Sequence, residues 1–141
     1  VWHRAAKYAL PVEAPLEESL ANYQAFLLSV MGLGYQKLIV STIPLPVVFD
    51  DLPHGKTLPV RRRVSASLAE RTDLTVQYNA RLREYCSQMG LPILDFEADL
   101  LDESSGVVGR QFLRDDPLNH HLAFLAVAPV LAAKLRQLDF N

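Results

Sequence analysis

The residue types best suited to chemistry gather in one segment, Arg114-Asp115-Asp116-Pro117-Leu118-Asn119-His120-His121-Leu122. A carboxylate and an imidazole on one short loop can work as a pair. The carboxylate accepts a hydrogen bond from one ring nitrogen and fixes the tautomer. The other nitrogen is then free to take a proton from a nucleophile. The same residues also suit a plainer role, since Asp-Pro makes a turn and a histidine pair can cap a helix at the surface.

Other candidates are fewer. Asp95 ends a predicted strand, where it could touch a site or cap the following turn. His3 and Trp2 stand near the start of the chain and suit a substrate wall or a loop anchor. Arg61, Arg62 and Arg63, with Lys56 nearby, form a basic run that suits a solvated loop face better than a phosphate or anionic-glycan site. Cys86 falls on the apolar side of a predicted helix and reads as a structural thiol. His3, His54, His120 and His121 lack the spacing of a zinc site, so no metal and no cofactor are expected. Ser41 lacks the glycine-flanked elbow of a nucleophile.

Composition narrows the classes. Half of the 141 residues are hydrophobic and 21% are charged, which suits one folded domain over residues 1–141. The net charge of −2 argues against a nucleic-acid partner. No apolar stretch approaches the ~20 residues of a membrane span. The single cysteine permits no internal disulfide and fits a reducing, cytoplasmic-type compartment, although the compartment stays open.

The elements that must position the acid–histidine loop follow from periodicity. Residues 1–14 read as a loop. Pro15 to Met31 carries an apolar stripe of Leu16, Leu20, Tyr23, Leu27 and Val30 at helical spacing. Lys37 to Thr42 reads as a strand buried on both faces. Residues 43–66 form a long, proline-marked connection. Ser67 to Met89 is a second helix, opened by a Ser67/Glu70 capping box and closed by Gly90. Leu91 to Phe96 is a second buried strand. Residues 97–116 read as an acidic loop. The last helix runs from Leu118 or Asn119 to Leu138, with Pro129 expected to kink it or to shift its start downstream. Alternating helices and buried strands predict a parallel α/β sheet. Two strands are too few for such a sheet, so further strands are expected to precede Val1. An incomplete sheet would leave an open edge through which copies of the chain could pair.

In three features the sequence resembles the C-terminal half of an SGNH (GDSL-type) hydrolase. KLIVSTIPLP is a buried strand entering a proline-containing loop. TVQYNARLREYCSQMGLPILDFEADL matches a helix with a "YN..L" run, then a glycine, then a strand ending in Asp. The acid–histidine loop leads into a closing helix. The resemblance implies a three-layer α/β/α, flavodoxin-like parallel sheet, incomplete in this chain. It implies His121 as the catalytic base, because Leu122 follows it and Ala126-Val127 falls where the family has a Gly-Tyr-like pair. It implies Asp116 as the acid and leaves His120 as the alternative base. The spacing from Asp116 to His121 is five, against three in the family. The sequence has no Gly-Asp-Ser and no Gly-x-Asn-Asp, so nucleophile and oxyanion donors would precede Val1.

The resemblance also implies a serine esterase, lipase or deacetylase acting on a small-molecule or glycan ester, with the 141-residue chain inactive alone. A carbohydrate O-acyltransferase on the same fold is one alternative. A non-catalytic α/β binding module, with the histidines as surface residues, is another.

Overall fold

The computed structural model describes residues 1–50, 66–116, 119 and 121–138. Lys56, Arg61, Arg62, Arg63, His54, Pro117, Leu118 and His120, all singled out in the sequence, lie outside the described residues. In chain order the elements are α1 (Trp2–Tyr8), α2 (Glu13–Met31), β1 (Val40–Ser41), α3 (Leu68–Met89), β2 (Ile93–Leu94), α4 (Glu97–Leu100), β3 (Leu101–Asp102), β4 (Val107–Val108) and α5 (Phe124–Gln137). A 3-10 turn, Arg110–Phe112, lies between β4 and α5.

β1 and β2 pair in parallel, with Val40 opposite Ile93 and Ser41 opposite Leu94. Parallel neighbours need a long crossover, and α3 supplies it. The ladder is short: Val40 N–H donates to Pro92 C=O at 3.0 Å and Thr42 N–H to Leu94 C=O at 3.1 Å. The strand period of two sends neighbouring side chains to opposite faces. Val40 and Ile93 pack with Leu16, Leu20 and Leu27 of α2 and Tyr78, Leu82 and Cys86 of α3. Leu94 packs on the other side with Leu45, Phe96, Leu100, Val108, Phe112 and Val127. The chain is therefore α/β, with helices against both faces of its parallel pair.

α3 begins where the sequence places it. Ser67 N–H donates to Glu70 Oε2 at 2.7 Å and Glu70 N–H donates to Ser67 Oγ at 3.2 Å. Gly90 ends it at φ +65°, a conformation that costs glycine little. Asp50 adds a further cap by accepting the Leu68 N–H at 2.8 Å. Cys86 is buried, and burial pushes its thiol pKa up, which keeps it a poor nucleophile.

Three sequence readings need correction. Residues 1–14 are not all loop, because α1 forms there. It is only two turns long, too short for periodicity to reveal, and its stability is tertiary. Ala5 is buried and Arg4 Nη2 pairs with Glu18 Oε1 of α2 at 2.8 Å. Residues 97–116 are also not one acidic loop. They hold α4, the antiparallel β3–β4 hairpin and the 3-10 turn. Their acids have local tasks that composition hides. Asp99 pairs with Lys134 of α5 at 2.9 Å, and Asp102 Oδ1 accepts the N–H of Ser104 at 2.9 Å and of Ser105 at 3.0 Å to close the hairpin turn.

The third correction concerns the last helix. It starts at Phe124, five or six residues after the expected start. Pro129 offers no N–H to the Leu125 carbonyl and its ring crowds that carbonyl, so only about one turn lies ahead of it. Upstream, the chain is held extended, with Ala123 N–H on Phe112 C=O at 2.8 Å. Of the long connection, residues 43–50 carry no regular element. No helix among the described residues is long and apolar enough to cross a membrane.

Candidate active site

The site is built at the carboxyl ends of β1 and β2, where open α/β sheets place their ligands. Buried Thr42 ties the two strand ends together. Its Oγ1 donates to Leu94 C=O and accepts from Phe96 N–H, both at 3.4 Å. The chain then leaves β1 through Pro44–Val47, and Leu45 and Val47 point into the core.

The acid–histidine loop faces this exit. Two bonds pin its ends: Phe112 C=O with Ala123 N–H, and Arg114 Nε on Leu122 C=O at 3.2 Å. Between them Asp116 C=O accepts the Asn119 N–H at 3.0 Å, and Asn119 Oδ1 accepts the His121 N–H at 3.0 Å. Asp116 and His121 therefore belong to one hydrogen-bonded turn, and both are exposed. His121 lines a cleft of about 520 Å³ with Pro44, Leu45, Pro46, Val47, Arg114, Leu122, Phe124 and Val127. A mostly apolar cleft with a few polar groups suits a small organic ligand.

Asp95 does not line that cleft. Arg83 Nε donates to its Oδ2 at 2.6 Å and Nη2 to its Oδ1 at 3.0 Å, and Oδ1 also accepts the Glu97 N–H at 3.3 Å. The guanidinium holds the Asp95 carboxyl below the usual carboxylate range. His3 lies on α1, away from the cleft, with its Nδ1 buried and without a partner among the described residues. Trp2 lines a separate apolar pocket of about 300 Å³ with Leu16, Ile43, Leu74 and Tyr78, and the two cavities share Pro46. No group of three or more His, Cys, Asp or Glu among the described residues could hold a metal ion.

The Asp95 pair has a pH signature. Its folded pKa is lowered, so its stabilisation is present above the unfolded value near 3.8 and is lost as pH falls through the lower folded value. Asp95→Asn is expected to cost about 1–2 kcal/mol at pH 7, reduced by partial exposure, and less as pH falls below the ordinary carboxylate range. Urea unfolding at pH 7 and below that range checks it. An equal loss at both would mean that the charge contributes nothing.

Sequence reasoning missed the residues that hold the site. Asn79 and Glu97 are both buried. Asn79 Nδ2 donates to Glu97 Oε2 at 2.6 Å, and Arg83 Nη2 pairs with Glu97 Oε1 at 2.9 Å. The signal was present in Tyr78-Asn79 of the "YN" run. A polar side chain on the core side of a helix must have a partner.

No family model and no curated protein matches the sequence. Solved structures do match. A GDSL-like lipase from Bacteroides thetaiotaomicron superposes with a TM-score of 0.60 at 16% identity, over 86% of this chain and 51% of its own. A protein from Bacteroides fragilis, named as an acylhydrolase, gives 0.58 at 17% identity, over 86% of this chain and 50% of its own. A protein from Streptococcus pneumonia, named as a platelet activating factor, gives 0.58 at 20% identity, over 89% and 52%. The chain spans about half the length of these structures. Its fold is that of the SGNH/GDSL-type hydrolases.

Proposed function

We propose that the chain is part of an SGNH-type serine ester hydrolase, with His121 as general base and acid and Asp116 as the residue that orients it. One observation above all supports this reading. His121 lines a cleft at the carboxyl end of a parallel strand pair, on a turn that also contains Asp116. The fold likeness to a GDSL-like lipase agrees with it.

The sequence holds no Gly-Asp-Ser, so the serine comes from outside these 141 residues, as do the oxyanion donors and the strands that complete a three-layer sheet. His121 takes the serine proton as the hydroxyl oxygen bonds to the acyl carbon. It returns that proton to the leaving alcohol as the ester C–O bond breaks. A water activated by the same imidazole then releases the acid and restores the serine. Asp116 accepts the hydrogen bond of the other ring nitrogen and stabilises the imidazolium. The apolar wall with one arginine suits a small acyl ester or an O-acetylated sugar.

Asp116→Asn is expected to lower kcat by about 10³–10⁴-fold and to leave KM close to wild type. The check is turnover of a chromogenic acetate ester by the protein that carries this chain. Residues 1–141 alone are expected to show no turnover. Turnover by them that His121→Ala abolishes would overturn the external nucleophile.

A further inference from the structure

Asn79 has no exposed surface, although it is an asparagine in the middle of a helix. Its amide grips a single residue of the β1 exit. Oδ1 accepts the Ile43 N–H at 2.8 Å, and Nδ2 donates to the Ile43 C=O at 3.0 Å. An N–H and a C=O met together in this way imitate a further rung of β-ladder, supplied by a side chain from α3. Nδ2 also donates to Glu97 Oε2 at 2.6 Å, which fixes the rotation of the amide and decides which end faces which partner.

The segment after Ile43 gives the clamp a purpose. Pro44 and Pro46 have no N–H and cannot extend a ladder. The next anchor is Arg71, whose Nη2 donates to Val48 C=O at 2.6 Å. Residues 44–47 therefore form a strap hung between two side chains of one helix, eight residues or about 12 Å apart along its axis. That strap is a wall of the cleft that His121 also lines.

We infer that Asn79 is a positioning residue, setting the distance between the Pro44–Val47 wall and His121 and so the fit of the ester in the cleft. The inference rests on the esterase reading for its kinetic consequence and on Ile43 and His121 themselves for its structural one. In the protein that carries this chain, Asn79→Leu is expected to lower kcat/KM by about 10–100-fold, mainly through KM. Asn79→Ser is neutral and smaller, removes the paired grip on Ile43 without placing a charge beside Glu97, and carries the test if the leucine variant does not fold. Leu27→Ala, in the core far along α2, serves as a control that loosens the fold without touching the strap.

Two NMR readouts do not depend on ester turnover: exchange of the Ile43 amide and the ring resonance of His121. The expected result is a protected Ile43 amide in the wild type, faster exchange and a moved His121 signal in the Asn79 variants, and neither change in Leu27→Ala. An unprotected Ile43 amide in the wild type overturns the inference. So does a KM or His121 signal that Leu27→Ala moves as much as the Asn79 variants do. If the wild type turns over no ester, the esterase reading fails, and the NMR result still decides the role of Asn79.

Discussion

His121→Ala, in the protein that carries this chain, is expected to lower kcat for ester hydrolysis by about 10⁴-fold or more and to leave folding unchanged. The imidazole moves a proton in each half-reaction, so removing it halts both acylation and deacylation. KM should change far less, because His121 is one residue of a cleft whose other lining is apolar apart from Arg114. Stability should hold, because the side chain is exposed and its backbone N–H still reaches Asn119 Oδ1. His120→Ala is the matching control and should keep most of the turnover. Circular dichroism and initial rates on both variants settle the assignment. If His120→Ala is the dead variant, the base has been assigned one residue too late.

Arg83→Leu is expected to show the largest loss of stability, about 3–5 kcal/mol in denaturant unfolding at pH 7. Arg83 bridges two acids that leave β2 in succession, Asp95 and Glu97. Their environments differ. The Asp95 side chain is 37% exposed and can regain water when the arginine goes, whereas that of Glu97 is 10% exposed and is left as a buried charge. Glu97 therefore carries most of the penalty. Asn79 still donates to it, but a single neutral donor does not replace a guanidinium. Arg81 gives the contrast. It pairs with Glu17 between exposed side chains, and Arg81→Leu should cost under about 1 kcal/mol. Equal effects of the two arginine substitutions would mean that the buried network contributes no more than a surface pair.

Much of this architecture is legible in the residues, and the parts that escape do so for physical reasons. α2 and α3 are long enough for their apolar stripes to stand out, and the Ser67/Glu70 box and Gly90 mark the ends of α3 as the structure has them. Both parallel strands are found, yet each keeps only two ladder residues. Hydrophobicity reports burial, and ladder bonds depend on the neighbours a strand has. α1 and the β3–β4 hairpin escape because they fall below the length at which a period can be counted. α5 starts downstream of Leu118 and Asn119, the shift that Pro129 leads one to expect, and a tertiary bond from Ala123 to Phe112 holds the chain extended ahead of it. At the site, the sequence singles out the loop that holds Asp116 and His121, since reactive residue types announce themselves. Asn79, Arg83 and Glu97 do not. Their roles come from burial and from partners 18 to 36 residues away or on the next element. Asp95 reads from sequence as either a site contact or a cap of the following turn, and the structure has its carboxylate accept the Glu97 N–H and pair with Arg83.

The most direct test of the esterase account is active-site labelling of the full-length protein that carries this chain. A fluorophosphonate reacts with a serine that a neighbouring base activates, and loss of the adduct in His121→Ala identifies that base. The expected result is a single adduct, mapped by peptide mass to a serine outside residues 1–141 and lost in His121→Ala. No adduct on the folded protein, or an adduct indifferent to His121, would contradict the account and leave the acid–histidine loop as a turn on a binding module.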